Sequence, residues 1–258
     1  MILQAAREAL KLVRVQTDSI LVPYSCGKDS SVVLDLCADI FDRVQPYYFY
    51  RVPNLDIAER MLKRAEHRYG VSIIRLPAPD LSEVFKHALL QPHWAALDEI
   101  PKVTGTDMED FIRRQTGIDW IASGKRCSDS LPRRAMLRQC GGCNFKSRII
   151  YPIWLWNRPD VLSYLRLHRI PKPPEFGRKE QGGIDFHIET FRYLKKYYPE
   201  DWKRYLEVFP YAEACIIAAD QRRDREQTSN QTSPEESPFD QRRSPSRTGA
   251  RSRQVRPA

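Results

Sequence analysis

The chain has 258 residues with 41% hydrophobic and 10% aromatic content, enough to bury one sizeable core. No run approaches the roughly 18 apolar residues of a membrane helix, and the N-terminal residues lack the charged-then-apolar pattern of a secretory signal, so we expect a cytoplasmic protein with no membrane partner. Six cysteines are too few for a disulfide scaffold, and a net charge of +9 favours polyanionic partners.

The first part of the chain alternates between strand-like and helix-like runs, which predicts a βαβαβ unit. Apolar runs predict strands at 19–24, 45–50 and 71–76. Apolar residues at helical spacing predict helices at 31–41 and 56–69, the second ending at Gly70. Right-handed crossovers make the three strands parallel and place their carboxyl ends on one edge of the sheet, where a ligand would bind.

The second part adds two shorter strands and several helical segments. We predict helices and loops over 81–117, a fourth strand at 120–123, a fifth at 149–153, a helix at 160–168 and aromatic-rich helical segments over 184–209. The predicted fold class is therefore α/β: a doubly wound, mainly parallel five-stranded sheet with helices on both faces, followed by a helical C-terminal part.

The composition changes after about residue 219 to Gln, Ser, Thr, Pro and Arg. Such a segment buries too little apolar surface to offset its ordering entropy, so we predict a folded domain at 1–219 and a disordered basic tail at 220–258. Residues 221–258 hold nine Arg and five acidic residues, a net +4 that leaves +5 for the rest. The tail is either a basic arm that contacts nucleic acid or a solvated terminus without a role.

A short polar loop joins the first strand to the first helix, and its candidate binding residues are Ser25, Gly27, Lys28, Asp29, Ser30 and Ser31. The first N–H groups of a helix lack partners and carry the positive end of the helix dipole, so they bind phosphate oxygens. Gly27 permits close backbone approach, and Lys28 adds a positive charge. The alternative is an ordinary strand-to-helix turn with Ser and Asp caps. The spacing is not that of a Walker A loop.

The segment SCGKDSSVVLDL, which begins at Ser25, resembles the Ser-Gly-Gly-x-Asp-Ser loop of the PP-loop superfamily. The loop sequence of this chain is similar to that of the phosphoadenosine phosphosulfate reductase-like branch, which belongs to the adenine nucleotide alpha hydrolase-like proteins. Cys26 stands where that pattern has its first glycine. The resemblance implies that the loop binds the phosphates of ATP or of a sulfonucleotide.

Two later segments extend the resemblance. Residues 122–130, ASGKRCSDS, and the following Arg133 are similar to the family's Gly-x-Arg motif, which implies nucleotide binding by Gly124, Arg126, Asp129, Ser130 and Arg133. The fork of Arg126 suits a phosphate or sulfate, but the sequence also allows a surface turn in which Arg126 only pairs with Asp129. Residues 151–171 resemble the family's Pro-Ile-x-x-Trp, Asp-Val-x-x-Tyr-Leu and Ile-Pro stretch, whose aromatic residues we expect in the core.

The cysteines leave several interpretations open. The chain lacks the C-terminal Glu-Cys-Gly-x-His segment that supplies the attacking thiolate in reductases of this family, and Cys215 has an apolar helical setting typical of an inert thiol. The other three of interest are Cys127, Cys140 and Cys143. They form a zinc or iron–sulfur site completed by His168 or His187, or serve thiol and sulfur chemistry, or have no special role.

The predicted function is that of an adenine-nucleotide-binding PP-loop enzyme that cleaves ATP between the α and β phosphates to adenylylate a substrate, for example for sulfur transfer. Lys28, Asp29 and Arg126 are the predicted catalytic residues, with Mg²⁺ as a cofactor. The alternatives are reduction of phosphoadenosine or adenosine phosphosulfate, and a catalytically inactive regulator that binds nucleic acid. The expected partners are an adenine nucleotide and an unidentified acceptor; nucleic acid at the tail and a homodimer stay open.

Overall fold

The computed structural model describes residues 2–171 and 184–231. The chain divides into two compact units, residues 1–218 and residues 219–258. Within the described part of the chain, no helix combines the length and the apolar character needed to cross a membrane.

Helices dominate the described residues. The α-helices are α1 Ile2–Arg14, α2 Lys28–Ala38, α3 Asp56–Tyr69, α4 Leu81–Lys86, α5 Gly105–Thr116, α6 Leu131–Gln139, α7 Arg158–Leu167, α8 Ile188–Tyr197, α9 Pro199–Val208 and α10 Ala212–Gln231, and Ala95–Glu99 forms a 3₁₀ helix. The prediction for 56–69 is confirmed as α3, and Gly70 ends this helix in the left-handed conformation at φ 65°. Helix α2 begins three residues before the predicted start because the polar loop itself supplies its first turn.

The strands form one sheet with the order β3-β2-β1-β4-β6-β5. They are β1 Ser19–Pro23, β2 Arg43–Tyr50, β3 Ile74–Pro77, β4 Ile121–Ala122, β5 Cys143–Asn144 and β6 Ile149–Ile150. All neighbouring pairs are parallel except β5 with β6. The mainly parallel α/β fold is confirmed, but the predicted number of five strands is wrong. The additional strand is β5, an antiparallel edge strand of two residues, too short to carry an alternating pattern.

The helix that follows the polar loop is held by a buried carboxylate. Asp35 of α2 is 6% exposed. It accepts hydrogen bonds from the hydroxyls of Tyr69 at 2.9 Å and Tyr164 at 2.8 Å, and Nδ1 of His168 lies 3.1 Å from its second oxygen. Tyr69 belongs to α3 and Tyr164 to α7, and His168 directly follows α7. One side chain of α2 therefore links three helices. Trp156 and Tyr164, aromatic residues of the 151–171 segment, lie in the main core as predicted.

The N-terminus of α3 is capped from a distant part of the chain. Leu55, at the N-cap position, has no side-chain oxygen for this purpose. Asp201 of α9 is 1% exposed, and its two oxygens accept from the backbone N–H groups of Asp56 at 2.7 Å and Ile57 at 2.9 Å. The negative charge therefore lies at the positive end of the helix dipole, which attaches α9 to the βαβαβ unit.

The C-terminal helices of the first unit form a second apolar cluster. Large side chains of α8 and α9, among them Phe191, Leu194, Trp202 and Tyr205, pack there with residues of α3 and α4. Helix α10 continues through Gln231, so the prediction of disorder from residue 220 differs from the structure over 220–231. A polar helix without an apolar stripe has no periodic signal in the sequence. The rest of the predicted tail, 232–258, lies outside the described residues.

We predict that Asp201→Ala lowers the free energy of unfolding by about 3 kcal/mol, because two helix N–H groups lose a buried, charged acceptor. Glu200→Ala is the matched control on the same helix: the Glu200 side chain is 66% exposed and pairs only with Lys203, so its loss should cost less than about 0.5 kcal/mol. Urea unfolding followed by circular dichroism measures both values. Equal effects of the two substitutions would contradict the capping role.

Candidate functional site

The sheet order places two loops side by side. From β1 the chain continues to β2 and β3 on one side, whereas β4 pairs with β1 on the other side. Such a reversal leaves a crevice outside the carboxyl ends of the two central strands, where open α/β sheets bind their ligands. The loop after β1 is 24–27, and the loop after β4 begins at Ser123. The first and second sequence motifs therefore meet at this crevice.

The first loop leads directly into α2. Gly27 occupies the N-cap position with φ −86° and ψ 165°, and it has no side chain to cap the helix. The hydroxyls of Ser30 and Ser31 both donate to the Gly27 carbonyl, at 3.0 and 2.9 Å, and the Ser25 and Ser30 hydroxyl oxygens lie 3.2 Å apart. These bonds fix the loop with the first amides of α2 beside the crevice.

Cys26 explains why glycine is typical of its position in the motif. Its φ is 58°, in the left-handed region that glycine adopts without cost. The cysteine side chain is 6% exposed and packs into the main core. Burial raises the pKa of its thiol to about 12; Glu59 adds to the rise and Arg75 opposes it. The thiol is therefore neutral and serves packing.

Arg126 is the central side chain of the second loop. It is 7% exposed on its side chain and contacts Asp129 through Nη2 at 2.9 Å, while its backbone N–H donates to the same carboxylate at 2.9 Å. Its Nε lies 3.1 Å from Asp29 Oδ1, close enough for an ion pair but not aligned as a hydrogen bond. Its Nη1 is buried and has no hydrogen-bond partner among the described residues. The pairing of Arg126 with Asp129 is present, but this is not a surface turn, because the arginine is buried and also contacts Asp29 on the first loop.

The two loops enclose a cavity of about 650 Å³. Its lining residues are Pro23, Ser25, Gly27, Lys28, Asp29, Ser30, Ser123, Gly124, Lys125, Arg126, Ser128, Asp129, Arg133 and Arg158. Five of them are cationic and two are acidic, so the cavity carries an excess of positive charge. Gly124 is needed for the close approach of the loops, because a Cβ atom there would lie 3.2 Å from the backbone carbonyl carbon of Asp29.

Most of the predicted binding residues line this cavity, and two do not. The hydroxyl of Ser31 donates to the Gly27 carbonyl, and its side chain faces a smaller cavity of about 80 Å³ beside α3. Ser130 is the N-cap of α6 and accepts from the Arg133 backbone N–H at 3.3 Å. Both residues shape the site without lining it.

Five lining residues were not among the predicted binding residues: Pro23, Ser123, Lys125, Ser128 and Arg158. Four of them belong to the two loops or the strand ends before them, so their sequence position next to the motifs could have indicated them. Arg158 begins α7, far along the chain, and the only signal was its place beside the capping box of Asn157 and Asp160.

The cysteines do not assemble into a metal site. Within 2–171 and 184–231, no three His, Cys, Asp or Glu side chains lie together in a way that could hold a metal ion. His168 contacts Asp35 and His187 contacts Glu189, so neither joins Cys127, Cys140 and Cys143. All six cysteines are free thiols. The donor set for zinc or an iron–sulfur cluster is thus not brought together in the described residues.

The Cys140–Cys143 turn supports the second loop. Cys143 donates its backbone N–H to the Cys140 carbonyl at 3.1 Å, and the intervening Gly142 has φ 78°. A Cβ atom on Gly142 would lie 2.4 Å from the indole nitrogen of Trp154. The Trp154 carbonyl accepts from the Cys127 N–H at 2.8 Å. Gly142 thus leaves room for the ring of Trp154, the residue whose carbonyl holds the backbone of Cys127 next to Arg126.

A strand–loop–helix unit faced by a buried arginine at the reversal of a mainly parallel sheet is the architecture of a PP-loop domain. The phosphoadenosine phosphosulfate reductase domain family matches residues 19–179, which is more than half of the chain. The chain belongs to this family.

Solved structures give weaker similarities. Phosphoadenylyl-sulfate reductase from Candida auris, in a phosphate complex, is 14% identical with a TM-score of 0.45 over 66% of this chain and 82% of that one. The U34-tRNA thiolase NcsA from Methanococcus maripaludis, with its 4Fe–4S cluster, is 14% identical with a TM-score of 0.46 over 84% and 78%. Yeast FAD synthetase in complex with FAD is 16% identical with a TM-score of 0.45 over 71% and 64%. No curated protein sequence matches, so family membership rests on the domain match.

We predict that Cys26 and Cys37 resist alkylation in the folded protein at about pH 8, because burial raises the pKa of both thiols and leaves almost no thiolate. Iodoacetamide treatment followed by peptide mass spectrometry measures the labelling of each cysteine. The same reaction in guanidinium chloride should label all six residues. Rapid labelling of Cys26 in the folded chain would contradict its assigned packing role.

We predict that Gly142→Ala lowers the free energy of unfolding by about 2 kcal/mol or more, because alanine is strained at this φ and its methyl group overlaps the Trp154 ring. Gly105→Ala is the control, since no atom lies within 4 Å of a Cβ there; it should change the value by less than about 0.5 kcal/mol. Equal denaturation midpoints for the two variants would contradict the close packing of Trp154 against Gly142.

Proposed function

We propose that the protein binds an adenine nucleotide in the cavity between the two loops and cleaves ATP between its α and β phosphates, which transfers the adenylyl group to an acceptor. The observation that carries this proposal is Arg126: its buried guanidinium has a nitrogen without a hydrogen-bond partner among the described residues, and the residue lines the same cavity as the first turn of α2. A buried cationic donor without a partner is costly unless an anion completes its hydrogen bonds.

The charge and size of the cavity support a polyphosphate ligand. Lys28, Lys125, Arg126, Arg133 and Arg158 line it, against Asp29 and Asp129 alone among acidic side chains. The excess of three positive charges, together with the dipole of α2, complements a triphosphate. The volume of about 650 Å³ is in the range of small-molecule sites.

The proposed reaction is an in-line displacement at the α phosphorus. An acceptor oxygen attacks this atom, the bond from the α phosphorus to the bridging oxygen breaks, and pyrophosphate leaves with the electron pair. Lys28 and Arg126 neutralise charge on the phosphate oxygens, and the amides of α2 bind the group that departs. The protein contributes position and charge, with no covalent intermediate.

Asp29, which lines the cavity, is the candidate oxygen ligand of Mg²⁺. Its Oδ1 lies 3.1 Å from Arg126 Nε and its other oxygen lies 2.9 Å from Lys28 Nζ. Mg²⁺ in such sites is held by one or two carboxylates together with substrate phosphates. An ion bound here would take an oxygen that now contacts Arg126 or Lys28, and it would neutralise charge on the phosphates.

Sulfonucleotide reduction is the second candidate, and the family match favours it. A reductase needs a thiol that attacks the sulfur of the substrate. All six cysteines lie in described residues, and none of them lines the cavity. Reduction at this site would therefore use a thiol from a separate reductant, and for this reason we place ATP cleavage first.

The test records phosphorus NMR spectra of ATP and its products while ATP and Mg²⁺ are incubated with the purified protein. We expect release of pyrophosphate together with AMP, because water is the attacking oxygen when no other acceptor is supplied. This release should fall at least about 100-fold in Lys28→Ala and Arg126→Gln, which lose a positive charge at the phosphates, and in Asp29→Ala, which loses the carboxylate proposed to hold Mg²⁺. Lys63→Ala, on the exposed surface of α3, is the control for loss of one positive charge and should behave like the unchanged protein.

Two results would overturn the proposal. The first is the absence of any calorimetric signal for binding of an adenine nucleotide. The second is release of sulfite from phosphoadenosine phosphosulfate with an added dithiol while ATP stays intact, which would make the protein a sulfonucleotide reductase.

A further inference from the structure

One long stretch of the chain contains no acidic residue. Residues 130–159 carry six Lys and Arg and neither Asp nor Glu, although the whole chain holds 33 acidic residues in 258. This stretch begins at the cavity and forms α6, β5, β6 and the start of α7. The stretch thus includes β6 and the terminal strand β5 of the sheet.

Three basic side chains of this stretch are not neutralised. Arg133 pairs with Asp129, and Arg148 pairs with Asp119. In contrast, Arg134 donates only to the Cys127 carbonyl at 3.2 Å. Arg138 and Lys146 have no ion pair within the described residues, and all three side chains belong to exposed residues. Uncompensated, exposed positive charge of this kind is the electrostatic signature of a polyanion-binding surface.

An aromatic ring lies beside these charges. Phe145 directly precedes Lys146 and is 59% exposed. Its ring is held by an edge contact with Trp120, with centroids 5.7 Å apart and the planes at 87°. A ring that is fixed from one side and open on the other can stack on a nucleic acid base. We call Arg134, Arg138, Phe145 and Lys146 the basic edge.

The basic edge starts at the cavity. Arg134 contacts the carbonyl of Cys127, the residue next to Arg126. Arg138 lies four residues further along α6, on the same face and about 6 Å, or slightly more than one helical turn, away. Beyond the Cys140–Cys143 turn follow Phe145 and Lys146. Along the chain, the basic residues thus run from the loop that lines the cavity, through α6, to the residues that follow β5, the terminal strand of the sheet.

We infer that the basic edge binds a single-stranded nucleic acid, with phosphates on Arg134, Arg138 and Lys146 and a base stacked on Phe145. A single strand presents both charged phosphates and open base faces, whereas a duplex keeps its bases stacked. If the proposed function holds, on which this last step rests, the strand is the acceptor whose oxygen enters the cavity.

The test measures fluorescence anisotropy of labelled RNA and DNA oligonucleotides of one sequence, single-stranded and duplex, with the full chain and without ATP. We expect a single strand to bind more tightly than the duplex. Arg138→Gln/Lys146→Gln should weaken binding about tenfold and reduce the slope of log affinity against log salt by about 1.4, since each phosphate contact on a single strand contributes about 0.7.

Matched controls separate this surface from general charge. Arg60→Gln/Lys63→Gln removes two exposed positive charges from α3, which follows β2 on the other side of the sheet, and should change the affinity less than twofold. Phe145→Leu keeps an apolar side chain but removes the aromatic face, and should weaken binding at least about fivefold. Tyr197→Leu, at a residue 56% exposed on α8, is its control.

Equal affinities of the two double variants, or of the two leucine variants, would overturn the inference, as would tighter binding of the duplex. Pyrophosphate release is measured separately. A protein that cleaves ATP but binds no strand refutes the nucleic acid surface alone, whereas one that binds strands through the basic edge but leaves ATP intact refutes the proposed function alone.

Discussion

The contact between Asp29 and Arg126 is the interaction on which the site depends. Arg126 is 7% exposed on its side chain, and an isolated guanidinium at that depth would cost several kcal/mol of solvation. Asp29 on the first loop and Asp129 on its own loop compensate this charge from two directions. Within the described residues the carboxylates do not satisfy all of its N–H groups: Nη1 is buried without a hydrogen-bond partner, and Arg126 is one of the residues that line the cavity. The same pairing thus joins the two loops and leaves one guanidinium nitrogen unsatisfied by these residues.

The rest of the site follows from how the backbone meets this constraint. Gly124 lets the second loop approach Asp29, and Cys26 takes a left-handed conformation so that the first loop can enter α2. A non-glycine residue in this conformation costs about 1 kcal/mol, which burial of its thiol in the core offsets. Strain of this kind is common where a loop is positioned for a ligand. The second loop is supported by Trp154, whose carbonyl accepts from the Cys127 N–H, and Gly142 leaves room for the Trp154 ring.

The parts of the fold that could be predicted are those with local signals. The β1–loop–α2 unit and the termination of α3 at Gly70 are determined by neighbouring residues, and the two motifs meet because parallel strands share one edge. Helix α6 could not be predicted, because only Leu137 of its nine residues is buried and no apolar period results. The lining residue Arg158 and the cap that Asp201 provides for α3 depend on contacts between distant segments, which one sequence does not reveal.

Because of the Asp35 carboxylate, the residues that can occupy several neighbouring positions depend on one another. Its two oxygens serve the hydroxyls of Tyr69 and Tyr164, and His168 lies beside them, all around the helix that carries the phosphate loop. Loss of the carboxylate alone would leave the buried Tyr164 hydroxyl and the half-buried Tyr69 hydroxyl without this acceptor, and loss of either phenol would remove one of the donors that hold the acid beside His168 and Arg68. Evolutionary change at this junction should therefore be concerted: homologues that lack the acid are expected to carry phenylalanine at both tyrosine positions, because an all-apolar trio restores packing without orphaned polar atoms.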